Sequence, residues 1–263
     1  MRKAVNVLKL ASLAIGVENF AVVTHRVPAH RVRRRLPPIY ELQTHSDDDG
    51  EWCFISVTCF CNRDFRWAVV PYPRHTFNEC TYRTYVTCGS DVGVYFFGRF
   101  LSTTLAVAAQ KLTSRDLWKG DFDVRTEFGP KGYASYVCRI ASRRGETTFA
   151  LAATDEPGPK GPFTTGDEHA QFITFRPNGY LTSSIGVQAV GVVEHPPMDP
   201  YEGTLRSGSF PLWRELGFVT DDEMDDAFSV LVSRRVPFLL QMPIPIVRAR
   251  ASPRPPAGRK IAL

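Results

Sequence analysis

Residues 75–86 read HTFNECTYRTYV, a stretch with the alternation of a β-strand that nonetheless carries a carboxylate and a guanidinium. At the two-residue period of a strand, Glu79, Thr81, Arg83 and Tyr85 share one face, and Asn78, Cys80, Tyr82, Thr84 and Val86 share the other. Either charge is costly to bury without a partner. A polar face with an aromatic edge fits the inside of a ligand-holding barrel, but on pattern alone a strand turned to solvent is favoured, because charged residues on one strand face are usually solvated.

The neighbouring sequence extends the β pattern. Short apolar or alternating runs recur as FAVVTHRV (20–27), WCFISVTCFC (52–61), VGVYFFGRF (92–100), ASYVCRIASR (134–143), TTFALAAT (147–154) and QFITFRP (171–177). Turn-forming clusters such as HSDDDGE (45–51), CGSD (88–91), RRGE (143–146) and RPNG (176–179) separate them, and this spacing predicts an antiparallel sandwich or barrel. Two helices are expected within it. STTLAVAAQKLTS (102–114) has Ser102 or Thr103 as N-cap and Leu105, Ala108, Ala109 and Leu112 along one face. VTDDEMDDAF (219–228) has Thr220 to cap and acids suited to the positive end of a helix dipole. The segment DEPGPKGPFTTGDEH (155–169) reads as a long loop, either a binding loop or a surface insertion.

A chain of 263 residues can bury a substantial core. The net charge of +5 is unevenly spread: residues 1–39 hold eight Lys/Arg against one acid, and residues 234–263 hold seven against none. Basic ends can attract nucleic acid or anionic lipid by counterion release. Without a recognition motif, arginine in a polar tail simply keeps the tail solvated, so nucleic acid is not an expected partner. The organisation expected is a single domain over 1–246 and a flexible basic Pro/Arg-rich tail over 247–263.

Six cysteines, at 53, 59, 61, 80, 88 and 138, lack the two-residue spacing of zinc or redox sites. Period two places Cys53, Ile55, Val57, Cys59 and Cys61 on one face, where cysteine acts as a small hydrophobe. A reducing, cytoplasmic compartment fits this usage, although an even number also allows disulfides. The start MRKAVNVLKLASLAIGVENFA (1–21) has a basic end and an apolar run, but Lys9 and Glu18 interrupt it; it reads as a short amphipathic helix rather than a signal peptide. No apolar run is long enough to span a bilayer as a helix.

The order FNECTYRTYV (77–86), GVYFFGRFLSTTLAVAAQ (93–110), TFRPNGYL (174–181) and VEHPPM (193–198) resembles the acetoacetate decarboxylase-like superfamily, within it a branch known as a domain of unknown function. The likeness spans roughly residues 20–246 and is strongest from Phe77 to Gln110. It implies a mainly β, α+β fold, an antiparallel barrel-like sheet around an internal pocket for a small ligand, and it allows a homo-oligomer. Phe77, Asn78 and Glu79 match the Tyr/Phe-Asn-Glu motif that places a glutamate in the pocket of the decarboxylases. Arg26 falls near the place of an arginine that faces the substrate carboxylate. The family's essential element is a lysine pair after the helix, one lysine forming a Schiff base and its neighbour lowering its pKa. Leu117 and Trp118 align there. Lys119 lies just beyond, with no lysine beside it, and an unassisted lysine near pKa 10.4 is protonated at neutral pH.

The candidate site is therefore Glu79 and Lys119 for chemistry, with Arg26, Arg83, Tyr85 and Tyr95 for ligand binding; neither metal nor cofactor is implied. Glu79 and Arg83 are expected to neutralise each other. His195, beside two prolines, reads as a rigid turn residue making one hydrogen bond, and Trp67, Tyr95, Phe96 and Phe97 read as core. Two functions follow: a binding protein for a small carboxylate or keto acid without the lysine pair, or an enzyme of decarboxylase type using Glu79 as general acid/base and Arg26 or Arg83 as carboxylate binder.

Overall fold

The computed structural model describes residues 12–129, 132–154 and 161–246. The expected tail and the first eleven residues of the expected N-terminal helix lie outside them. The remainder of that helix is instead the start of β1 (Ser12–Pro28). Leu13, Ile15 and Val17 are buried at every second position, and β1 is gripped on both sides by long antiparallel partners. Pairing on both edges, which no local pattern reports, overrides the helical reading.

A short helix α1 (Ala29–Arg33) follows, then β2 (Glu41–Leu42), β3 (Thr44–Asp47), β4 (Gly50–Trp67), β5 (His75–Cys88), β6 (Asp91–Leu101) and helix α2 (Thr104–Gln110). Beyond it come β7 (Leu117–Lys119), β8 (Asp121–Gly129), β9 (Gly132–Ser142), β10 (Gly145–Ala153) and helix α3 (Gly166–Thr174). The chain continues through β11 (Asn178–Thr182), β12 (Gln188–Glu194), β13 (Tyr201–Ser209), helix α4 (Pro211–Leu216), β14 (Ser229–Gln241) and β15 (Ile244–Pro245). The fold is mainly β, as expected. Its sheet is mixed rather than purely antiparallel, because β6 pairs in parallel with both β7 and β11.

The main strand order is β15-β12-β11-β6-β5-β4-β1-β14-β13-β10-β9-β8. Val193 and Glu194 of β12 also pair with Leu240 and Leu239 of β14. That contact joins the two ends of the run β12-β11-β6-β5-β4-β1-β14. β5 lies at its centre and is buried on both faces. On the outer side, Tyr82 packs edge-on against Trp213 of α4 and shares a hydrogen bond of 2.6 Å with Thr147 of β10. Cys59, Cys80 and Cys138 are buried on that side as small hydrophobes, none in a disulfide.

Helix α2 forms as expected, with the Thr103 hydroxyl accepting from Ala106 N, but its buried residue is Ala106. Leu105 and Leu112, expected on the buried face, are exposed. QFITFRP is not a strand: Gln171–Thr174 complete α3, which begins inside the expected loop and buries His169 and Ile173, four residues apart, on one face. The expected helix over 219–228 is a series of turns, Glu223 N to Thr220 O and Met224 N to Asp221 O. Two of its acids reach other segments: Asp225 accepts from Gly208 N, and Glu223 accepts from Arg31 as well as from Thr220 N within the segment. The helix of this region lies earlier, as α4, with Pro211 at its start and Gly217 in the left-handed conformation at its end.

Candidate ligand-binding site

A cavity of about 410 Å³ lies inside the closed run of strands. β5 contributes Glu79, Thr81 and Arg83, the alternate residues of the opening stretch; neighbouring strands place Phe60, Val94 and Phe96 beside them. Trp67 and Met242 line it while remaining substantially exposed, which marks the rim.

The polar groups form two poles. At the first, Glu79 is 7% exposed and its Oε1 accepts from Arg99 Nε at 2.9 Å and Nη2 at 2.7 Å. Its Oε2 accepts from Asn62 Nδ2 at 3.0 Å, and Arg99 Nη2 also donates to Gln110 of α2 at 2.8 Å. The partner of Glu79 is therefore Arg99, not Arg83. The cross-strand geometry explains this: Arg99 sits opposite Thr81 on the adjacent strand, whereas Arg83 is four residues further along its own strand, about 13 Å away.

At the second pole, Arg83 Nη2 donates to Ile173 O of α3 at 3.0 Å, and Arg176 Nε donates to Phe172 O at 2.7 Å. Both guanidiniums lie against the Tyr85 ring, at 6.0 and 5.4 Å from its centre. Tyr85 is held by a 2.7 Å bond to Ser56. Arg83 Nε and Arg176 Nη2 are buried without a protein partner, and among the described lining residues the one carboxylate is Glu79. Burial above all pushes Arg176 down to about 10; Tyr85 opposes this and the charge of Arg83 adds to it. His195, at the same pole, stacks on Phe238 at 4.6 Å and donates from Nδ1 to Pro196 O at 2.8 Å. Burial lowers its pKa and Arg83 adds to this, against the carbonyls of Pro196 and Thr174. Expected as a turn residue with one hydrogen bond, it instead has two backbone carbonyls beside it and lines the cavity.

Three of the expected site residues are elsewhere. Arg26 points away from this cavity, paired with Asp47 and stacked over Trp52 at 4.4 Å. Lys119 ends β7 as an exposed partner of Asp121, and Tyr95 is in the core behind the cavity wall, bonded to Thr182. Phe97 is core as expected, but Phe96, one residue away, faces the cavity. No lysine lines the cavity among the described residues. Arg99, Arg176, Asn62 and Gln110 were not singled out by the sequence. Arg99 had the same signal as Arg83, a lone cation inside an apolar strand, while Arg176 was hidden by the reading of its segment as a strand.

Solved structures share this fold across most of the chain. An enduracididine biosynthesis enzyme, MppR, complexed with pyruvate is 12% identical, with a TM-score of 0.58 and coverage of 89% of each chain. An acetoacetate decarboxylase-like enzyme from Sphingomonas wittichii RW1 is 13% identical at a TM-score of 0.56, covering 90% of this chain and 93% of its own. Acetoacetate decarboxylase from Legionella pneumophila is 9% identical at 0.57, covering 89% and 87%. No curated protein sequence gives a significant match. The family model of DUF2071, described as an uncharacterized conserved protein, matches residues 16–237. With its acetoacetate decarboxylase-like fold, the chain belongs to the DUF2071 family.

Proposed function

We propose that the closed run of strands acts as a barrel-like enclosure that binds a small organic carboxylate, held by Arg83 and Arg176, without Schiff-base chemistry. One observation carries this reading: two guanidiniums line the same end of the cavity against one tyrosine ring, each with one buried N–H that has no protein partner, and among the described lining residues the one carboxylate, Glu79, lies at the other end. A buried cation left without an anion is costly, and a carboxylate supplies charge and acceptors together. The complex of MppR with pyruvate supports a carboxylate in a cavity of this fold. Arg83 thus keeps its expected role, with Arg176 in the place first given to Arg26 and Tyr85 as the platform behind both.

Calorimetric titration with pyruvate and acetoacetate tests this. Arg83→Gln and Arg176→Gln should each weaken binding at least about tenfold, the loss of one charge-assisted contact, and Arg26→Gln should leave it within about twofold. Full affinity in both pocket variants would end the proposal.

A second reading is favoured by the carboxylate of Glu79 lining the same cavity: it would act as general acid/base on the far end of a bound acid long enough to reach its pole. Glu79→Gln would then abolish turnover with affinity altered only modestly. Unchanged turnover would reject it.

A further inference from the structure

The two poles and the walls between them say more about the ligand than its charge. Around and beyond Thr81 the lining is Val17, Phe20, Phe60, Val94, Phe96 and Leu240, side chains that make no hydrogen bonds. A three-carbon acid fixed at Arg83 and Arg176 would leave most of the 410 Å³ to water held against apolar walls. Each water takes about 30 Å³ of liquid volume and needs two or more polar partners to stay; these six side chains offer none, and the Thr81 hydroxyl beside them is a single polar group. At the other pole the Glu79 carboxylate already accepts three hydrogen bonds and is paired with Arg99, so it offers no site for a second acidic group.

We infer that the ligand is an amphiphilic monocarboxylate: an acid head at Arg83 and Arg176, and an unbranched or aryl apolar body of about eight to ten carbons, long enough to run along β5 towards Glu79 over a span of roughly 13 Å. This rests on the carboxylate-binding reading of the same site. It narrows the ligand from keto acids in general to acids whose affinity comes mainly from the body. The size of the cavity is in the range that encloses such a molecule.

The test is calorimetric titration of the unaltered full chain, at neutral pH, with acetate, butyrate, octanoate and 1-octanol. Each buried methylene multiplies affinity by roughly three- to fourfold. Octanoate should therefore bind on the order of 100-fold more tightly than butyrate, and at least about tenfold more tightly than 1-octanol, which lacks the charge. If the three acids bind within about threefold of each other, the amphiphile inference is overturned and the carboxylate site stands. If 1-octanol matches octanoate, the carboxylate reading fails and takes this inference with it. Absence of binding by all four overturns the inference as well, and pyruvate titration then decides the broader reading separately.

Discussion

Glu79 receives three donated hydrogen bonds from two side chains, Arg99 and Asn62, and the pair it makes with Arg99 is mostly shielded from solvent. Removing one partner of such a pair leaves the other charge uncompensated, so Glu79→Ala should lower stability by about 3 kcal/mol in urea denaturation. Lys119→Ala, which breaks an exposed pair with Asp121, should change it by no more than about 0.5 kcal/mol. Equal effects would mean that the Glu79 network is as wet as the surface. The opening stretch placed Glu79 and Arg83 on one strand face, and only the resemblance turned that face to a pocket; neither gave their partners, because a strand's period gives its faces and not the register of its neighbours. Arg176 titrates within reach of experiment: burial sets it at about 10. Below that value it is charged and attracts an anion, so affinity for a carboxylate should hold from pH 7 to about 9 and fall as pH rises through 10. In Arg176→Gln the affinity is lower throughout and the fall is absent; a fall that persists would assign the titration to another group.

Helix α3 connects one pole of the cavity to the fold. Thr165 caps it by accepting from Glu168 N at 3.1 Å, and Glu168 Oε2 accepts from Thr164 N at 2.8 Å. At its other end the carbonyls of Phe172 and Ile173 hold Arg176 and Arg83. Loss of the cap in Thr165→Ala should cost about 1 kcal/mol, and carboxylate affinity should fall with it because the last turn positions both arginines. Unchanged affinity at reduced stability would separate the helix from the site. In its middle, His169 is fully buried, its Nε2 3.0 Å from Ser229 Oγ, and burial lowers it to about 4. As pH falls from about 6.5 through 4, the unfolded chain takes up a proton that the folded chain refuses. Stability should therefore decline across that window, and thermal unfolding of His169→Gln should show a shallower decline. Sequence periodicity missed this element because QFIT is a short apolar run, compatible with either conformation. What decides it is the capping pair upstream and the burial of His169 and Ile173 together. The same holds in reverse for 219–228, where Glu223 keeps the local bond of a helix start to Thr220 N but is also drawn to Arg31, and Asp225 is drawn to Gly208 N of β13.

At the scale of the whole molecule, local pattern marked the cores of β1, β4, β5, β6, β9 and β10 but not β11 to β14, and the resemblance implied an antiparallel sheet where the sheet is mixed, while the chemistry depends on where single cations end up once the sheet has curved. The closure of β12 onto β14 surrounds the polar face of β5 with apolar strands. That enclosure makes two guanidiniums with no carboxylate partner among the described residues consequential: the same charges on an open sheet would simply be solvated. It also sets the condition that any covalent chemistry must meet, a neutral lysine amine inside the cavity. The two described lysines fail it. Lys111 Nζ donates to Leu117 O at 3.1 Å, and Lys119 is half exposed beside Asp121; neither lines the cavity. Incubation with acetoacetate, pyruvate or a small aldehyde, followed by borohydride reduction, should therefore leave the intact mass of the protein unchanged. An adduct that forms in stoichiometric amount and disappears in Lys119→Ala would show that β7 moves its end into the cavity. An adduct retained in that variant would place the reactive amine elsewhere in the chain. Either outcome would return the protein to covalent catalysis and leave the paired arginines as the means by which the substrate acid is held.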